Sequence, residues 1–300
     1  MATTTQKIET IPAETIPAET IQEQTTSSIE VVPGLDDLAS LLQVKPPSEV
    51  VDWINMLVYG EPGVGKTHLC GTAEDHPDTS PVLYLDIDGG VTTLRNRTSL
   101  HVKAIRSIEK IKRGTEEILG INEVYEMLFN SIDRETGKMP YGTVVIDRLD
   151  ELADIDMRYI MRDAYNRKPE TVDIDVPSPR EWGINRSHIR KLVRAFKDLP
   201  CHVIFVSGVN TKEEEGQPTK YFPGFAGKLK NELPGFVDIV GYYYNDNSSG
   251  DLHRKIQFQG TRRVQAKDRT ASLGAELVDP TIPMMWELIS TNLPNDNNQE

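Results

Sequence analysis

The chain has 300 residues, 38% hydrophobic and 26% charged, with a formal net charge of -13. That is enough apolar material for one large or two small globular domains, and the charge excludes the basic coat of a tight duplex binder. Its two cysteines, Cys70 and Cys201, exclude a disulfide scaffold and a paired-cysteine zinc ribbon.

At the N-terminus, Glu9-Thr10-Ile11-Pro12-Ala13 recurs at residues 14–18 and starts again at Glu19-Thr20-Ile21. Proline at this spacing bars a helix, and the sparse isoleucines cannot build a core. Residues 1–30 are therefore expected to be a disordered acidic tail, with a docking peptide as the alternative. Residues 1–40 hold one lysine, Lys7, against seven acids. No apolar run in residues 1–20 suits a secretory signal. Stretches such as Met56–Tyr59 and His202–Val206 are far too short to cross a bilayer, so no membrane partner is expected.

A single folded domain is expected over residues 31–292, with a flexible end at 293–300. Leu38, Leu41 and Leu42 suggest a short helix, broken by Pro46-Pro47. Four apolar runs read as strands: Met56–Tyr59, Val82–Leu85, Thr143–Asp147 and His202–Ser207. Continuous apolar runs suit strands buried on both faces of a mostly parallel sheet. Helices are expected over 66–73, 116–131, 149–164 and 187–199. This alternation defines an α/β architecture. Residues 236–244 and 252–259 flank a polar turn and read as a C-terminal β-hairpin. A short helix at 284–289 closes the domain.

The chemistry is concentrated in Gly60-Glu61-Pro62-Gly63-Val64-Gly65-Lys66-Thr67, a complete G-x-x-x-x-G-K-[ST] match between a strand and a helix. Glycines let backbone N–H groups turn around phosphates, and the following helix N-terminus, which includes His68, favours anions. Lys66 is expected to reach the β- and γ-phosphates of a bound nucleotide, and Thr67 to ligate Mg2+. Asp147 ends a strand where a carboxylate can hold Mg2+ through water, which makes it the second metal candidate. Asp150 and Glu151 follow it in the next turn and suit a helix start as well as they suit catalysis. Asp86-Ile87-Asp88-Gly89-Gly90 ends the second strand on the same sheet edge. One of its two acids is a candidate to orient or deprotonate the attacking water. The six histidines and the two cysteines form no zinc pattern.

Together the phosphate loop, Asp86–Gly90, Val144–Asp147, His202–Ser207 and Ala266–Thr270 resemble the RecA-like P-loop ATPase core. The likeness covers about residues 50–290, and it is nearest to the phage nucleotide-binding protein family, which includes single-strand annealing proteins of phage recombination. The resemblance implies a RecA-like ATPase that hydrolyses ATP and acts on single-stranded DNA, in the host cytoplasm if phage-encoded. It places Asp88 at the position of a catalytic glutamate, one carbon shorter. It also likens Lys267-x-Arg269 to a finger inserted into a neighbouring subunit's site, which implies a homo-oligomer.

Ser207 and Asn210, at the end of the fourth strand, are the γ-phosphate sensor candidates. In RecA-like recombinases the loop that follows contacts DNA. Here that loop, 210–233, carries Lys212, Lys220, Lys228 and Lys230 with Tyr221, Phe222 and Phe225 interleaved, cations for a phosphate backbone and rings for bases. Glu213-Glu214-Glu215 counts against it. The basic segment 101–113 would form one face if helical, and residues 165–181, up to Trp182, occupy the place of another recombinase DNA loop. The acidic charge also suggests a single-strand-binding protein as a partner. The competing readings are an assembly or regulatory P-loop ATPase without DNA contact, and a small-molecule kinase, which would need an arginine-bearing lid.

Overall fold

The computed structural model describes residues 38, 40–42, 44, 53–213, 215–216, 218–248 and 250–291. The expected tail and repeat at 1–30 and the expected end at 293–300 lie outside the described residues. The chain divides into two units, 1–45 and 46–300. In the first, the described residues around Leu41 make a helical turn, with Leu42 N–H donating to Leu38 C=O at 2.9 Å.

In the second unit, the strands in chain order are β1 (Asn55–Tyr59), β2 (Val82–Asp86), β3 (Leu100–Ala104), β4 (Ile111–Arg113), β5 (Glu116–Ile118), β6 (Thr143–Asp147) and β7 (His202–Ser207). They continue with β8 (Val209–Lys212), β9 (Lys220–Pro223), β10 (Ile239–Asp246), β11 (His253–Gln257), β12 (Lys267–Asp268) and β13 (Glu276–Val278). The α-helices are α1 (Lys66–Gly71), α2 (Ile121–Asn130), α3 (Leu149–Arg167), α4 (Pro179–Lys197), α5 (Leu229–Phe236) and α6 (Ile282–Thr291).

Among the described residues the main sheet has nine strands, ordered β13-β11-β10-β1-β7-β6-β2-β3, with β12 also paired to β10. From β10 to β3 the strands are parallel. β11 and β12 share one edge of β10, both antiparallel to it, β11 beside Tyr242–Asp246 and β12 beside Ile239 and Val240. Every residue of β1, β2, β6 and β7 is buried. Their unbroken apolar runs follow from this, because helices cover both faces of the sheet. Residues of α2, α3, α4 and α5 join the core on one face, and residues of α1 and α6 the core on the other. The chain is an α/β protein with a RecA-like P-loop core and a C-terminal hairpin, β10–β11.

Several expected elements differ. The segment 101–113 is not helical. Its first part forms β3, the exposed edge strand, and its last residues pair with β5 across Gly114. Lysine on a sheet edge blocks pairing with foreign strands, so Lys103 has a structural use there. α2 therefore begins at Ile121 rather than at 116, with Gly120 N–H donating to the Glu123 carboxylate at 2.9 Å. α4 begins eight residues before the expected start at 187. Its start is a capping box in Ser178-Pro179-Arg180-Glu181: Ser178 N–H donates to Glu181 at 3.1 Å, Arg180 N–H donates to Ser178 Oγ at 3.3 Å, and proline takes the first turn.

The stretch 210–233 is not a loop. It holds the hairpin β8–β9 and the start of α5. Phe225 is 1% exposed and belongs to the core with Leu229 and Leu233, so it cannot stack on a base. Phe222 is partly exposed and lies under Lys230, whose ammonium is 5.4 Å from the ring centre.

Candidate nucleotide site

Parallel pairing brings the C-terminal ends of four strands into register. Tyr59 lies beside Ser207, Asp147 beside Val206, and Asp86 beside Asp147. The loop after β1, the carboxylate ending β6 and the turn after β2 therefore open onto one edge. That edge is where open α/β sheets bind ligands. A cleft of about 560 Å3 lies there, lined by phosphate-loop residues and by Asp88, Asp147, Arg148, Gly208 and Arg254.

The phosphate loop is built by local geometry. Gly63 and Gly65 have φ of 81° and 101°, in the left-handed region that favours glycine, and Gly65 caps α1. Val64 is packed into the core and anchors the loop. Pro62, Gly63, Gly65, Lys66, Thr67 and His68 line the cleft. Gly60 passes so close to β10 that a Cβ would stand 2.1 Å from Tyr243 C=O. Lys66 is 9% exposed, and its Nζ donates to the carbonyls of Gly60 at 2.8 Å and Glu61 at 2.9 Å. Burial lowers its pKa, and the nearby Asp147 charge opposes that shift. A buried ammonium held only by carbonyls gains from a phosphate arriving beside it.

Thr67 donates to Asp147 Oδ2 at 2.8 Å, and Tyr84 donates to the same oxygen. Asp147 is 3% exposed; burial raises its pKa, and the hydrogen bonds from Tyr84 and Thr67 oppose the rise. A hydroxyl and a carboxylate in contact are hard oxygen donors and fit Mg2+. Thr67 would hold the ion directly and Asp147 would hold it through water.

The two acids after β2 are resolved by their surroundings. Asp86 is buried, and its Oδ1 accepts from the N–H groups of Gly89 at 3.0 Å and Gly90 at 3.1 Å, so it shapes the turn. Asp88 lines the cleft, with Arg148 Nη1 3.7 Å from its Oδ2. Asp150 is buried and receives Arg148 Nη2 at 2.7 Å and Gly208 N–H at 3.1 Å, a supporting role. Glu151 pairs with Arg158 at 3.2 Å.

Both sensor candidates fall outside the cleft lining. Ser207 is fully buried; its hydroxyl donates to Gly208 C=O at 3.0 Å and accepts from Gly224 N–H at 2.9 Å. Asn210 lies in β8, where its amide donates to Phe225 C=O at 3.0 Å. Lys267, on β12, pairs with Val240 of β10, and Arg269 bonds Asp238 at 3.2 Å and Gly235 C=O at 3.1 Å. Because Ile239 lies beside Met56, both are near the end of β1 opposite the phosphate loop. Lys212 and Lys220 face each other across the β8–β9 pair.

The sequence reading missed Arg148 and Arg254. Arg148 directly follows Asp147, a position that was legible. Arg254 comes from β11, and its Nε would meet a Cβ on Gly65 at 3.0 Å. No spacing rule links those two positions.

The fold and cleft define a P-loop NTPase with a RecA-like core. A family model described as an AAA domain matches residues 53–270, and the chain belongs to that family. Among solved structures, a KaiC-like protein from the hyperthermophilic archaeon Pyrococcus horikoshii OT3 is similar at 10% identity and a TM-score of 0.39, over 75% of this chain and 88% of that one. No curated protein matches the chain. Among the described residues, no helix is long and apolar enough to cross a membrane.

Proposed function

We propose that the chain hydrolyses ATP to ADP and phosphate with Mg2+, and that it acts on single-stranded DNA in phage recombination or annealing. The observation that carries the ATPase reading is the Thr67–Asp147 contact at 2.8 Å, in one cleft with Lys66 and Asp88. Lys66 holds the β- and γ-phosphates. Mg2+, when bound, neutralises charge on the phosphates and the leaving group. Asp88 takes a proton from water as the water oxygen bonds to the γ-phosphorus. The bond to the β–γ bridging oxygen breaks, leaving ADP.

A second copy of the chain supplies Lys267 and Arg269, which are paired near the end of β1 away from their own phosphate loop. The DNA reading is supported by the hairpin that follows β7, which carries Lys212 and Lys220, and by Phe222 and Lys230, which are packed together. The burial of Phe225 and the exposed Glu213 and Glu215 favour the second reading, an assembly or regulatory ATPase without DNA contact.

Turnover measured over a protein titration, with and without single-stranded DNA, separates the two. The DNA reading expects stimulation that vanishes in Lys66→Ala, and binding that weakens steeply between low and moderate salt. Turnover indifferent to DNA, with no binding even at low salt, rejects it in favour of the second reading. Absence of turnover under all conditions rejects the ATPase.

A further inference from the structure

We propose that Arg148 reads the γ-phosphate within its own chain and reports it to the β8–β9 hairpin, a role that rests on the cleft binding ATP. The guanidinium bridges two acids. Nε and Nη2 donate to Asp150 at 3.2 and 2.7 Å, and Nη1 stands 3.7 Å from Asp88. Arg148 also lines the cleft beside Lys66 and Thr67.

Behind Asp150 a line of short contacts leads out of the site. The Asp150 oxygen that receives Arg148 Nη2 also accepts Gly208 N–H at 3.1 Å. Gly208 C=O in turn accepts Gly224 N–H at 2.9 Å. Gly208 precedes β8 and Gly224 follows β9, so this contact closes the base of the hairpin. The packing leaves no slack: a Cβ on Gly208 would stand 3.0 Å from both Arg148 Nη2 and Asp150 Oδ2.

The electrostatics decide which way this arrangement moves. At 3.7 Å the Arg148–Asp88 pair is an ion pair without a hydrogen bond, the weaker of the two attachments. A γ-phosphate offers more charge and several acceptor oxygens, and its geometry suits a planar guanidinium. ATP therefore draws Arg148 from Asp88 first, leaving that carboxylate for water, and then competes with Asp150. The second step reaches the base of the hairpin, because Asp150 Oδ2 also holds Gly208 N–H. ADP lacks the group that drives either step. The residue that meets the triphosphate is thus Arg148 rather than Ser207 or Asn210; Ser207 acts at the base of the hairpin, where its Oγ shares the Gly224 N–H at 2.9 Å.

The test uses the full chain, with fluorescent ATP and ADP analogues for affinity and amide hydrogen exchange over residues 208–224 for the hairpin. Wild type is expected to prefer the triphosphate and to exchange differently in its presence. Arg148→Ala is expected to lose roughly tenfold or more of that preference, the effect of one lost charge-assisted contact, with its ADP affinity nearly unchanged. Its hairpin exchange then no longer depends on nucleotide. Arg148→Lys keeps a cation without the fork; it is expected to recover part of the preference but not the nucleotide-dependent exchange. The same comparison runs on this variant if the alanine variant does not fold. Variants that keep both the wild-type preference and its exchange pattern overturn the role of Arg148 alone. A wild type that binds neither nucleotide overturns the ATP reading of the cleft, and this role with it.

Discussion

Replacing Phe225 with alanine separates a core residue from a DNA-binding one. The side chain is 1% exposed within the core that also holds Leu229 and Leu233. A buried phenylalanine removes roughly 150–250 Å2 from water, worth about 4–6 kcal/mol at ~25 cal/mol per Å2. Alanine keeps part of that area but leaves a cavity, and such substitutions cost about 3–5 kcal/mol. For a domain of this size that is a fall of roughly 6–20 °C in Tm. Thermal and urea unfolding followed by circular dichroism measure it directly. Phe222→Ala is the control. Its ring is partly exposed and lies under Lys230, so stability is expected to change by about 1 kcal/mol or less. If the DNA reading holds, the Phe222 variant loses the worth of one base stack, a factor of roughly 5 to 150 in affinity. A Phe225→Ala protein that unfolds at the wild-type midpoint while losing DNA affinity would refute the core assignment and restore Phe225 as a stacking ring.

Other expected outcomes concern the site and the sheet. Lys66→Ala is expected to lower kcat by roughly 100-fold or more, since it removes a cation aimed at developing phosphate charge, while the fold persists in circular dichroism. Arg269→Ala is expected to lower kcat by about 1,000-fold or more with ATP binding retained. Mixing it with Lys66→Ala should restore turnover, because an intact phosphate loop then meets an intact finger. No recovery in mixed samples argues against action in trans.

His202 governs a pH dependence. Its Nδ1 accepts from Ile54 N–H at 2.9 Å, its Nε2 is buried with no close hydrogen bond among the described residues, Trp286 lies 4.6 Å away, ring centre to ring centre, and Asp78 is the one acid whose influence opposes the effect of burial. Burial lowers its pKa from 6.5 to about 4. The unfolded chain therefore binds the proton more readily, so stability is complete above pH 6.5 and falls as the pH drops towards 4. The loss is roughly 3 kcal/mol at 1.36 kcal/mol per pH unit. His202→Gln should lack this component in urea unfolding at pH 7.5 and 4.5. An identical pH dependence in both proteins would show that His202 is not its source.

Local pattern carries a great deal in this chain. The apolar runs of β1, β2, β6 and β7 are contiguous, and burial on both faces is a property of each run by itself. The phosphate loop is equally local: its glycine conformations, its lysine and the first residues of the helix it starts lie within eight residues, so the chemistry is legible before any folding. The capping box at Ser178–Glu181 was also there to be read, although the apolar spacing further along the helix drew the expected start to 187. The charged residues between β3 and β5 misled in the opposite direction, because an edge strand and a helix face both carry exposed lysines.

Strand order settled the rest. Pairing β2 with β6 and β6 with β7 sets Asp88, Arg148 and Gly208 around one cleft, although they come from different segments of the chain. The hairpin strand β11 delivers Arg254 to the same place. Two acids separated by one residue look alike in sequence, yet Asp86, the last residue of β2, closes its turn and Asp88, in the turn beyond the strand, faces the cleft. Phe222 and Phe225 divide in the same way between surface and core. Residue type and spacing announce which chemistry the chain carries. Which side chains meet to perform it depends on contacts between distant segments, and those exist only once the sheet is assembled.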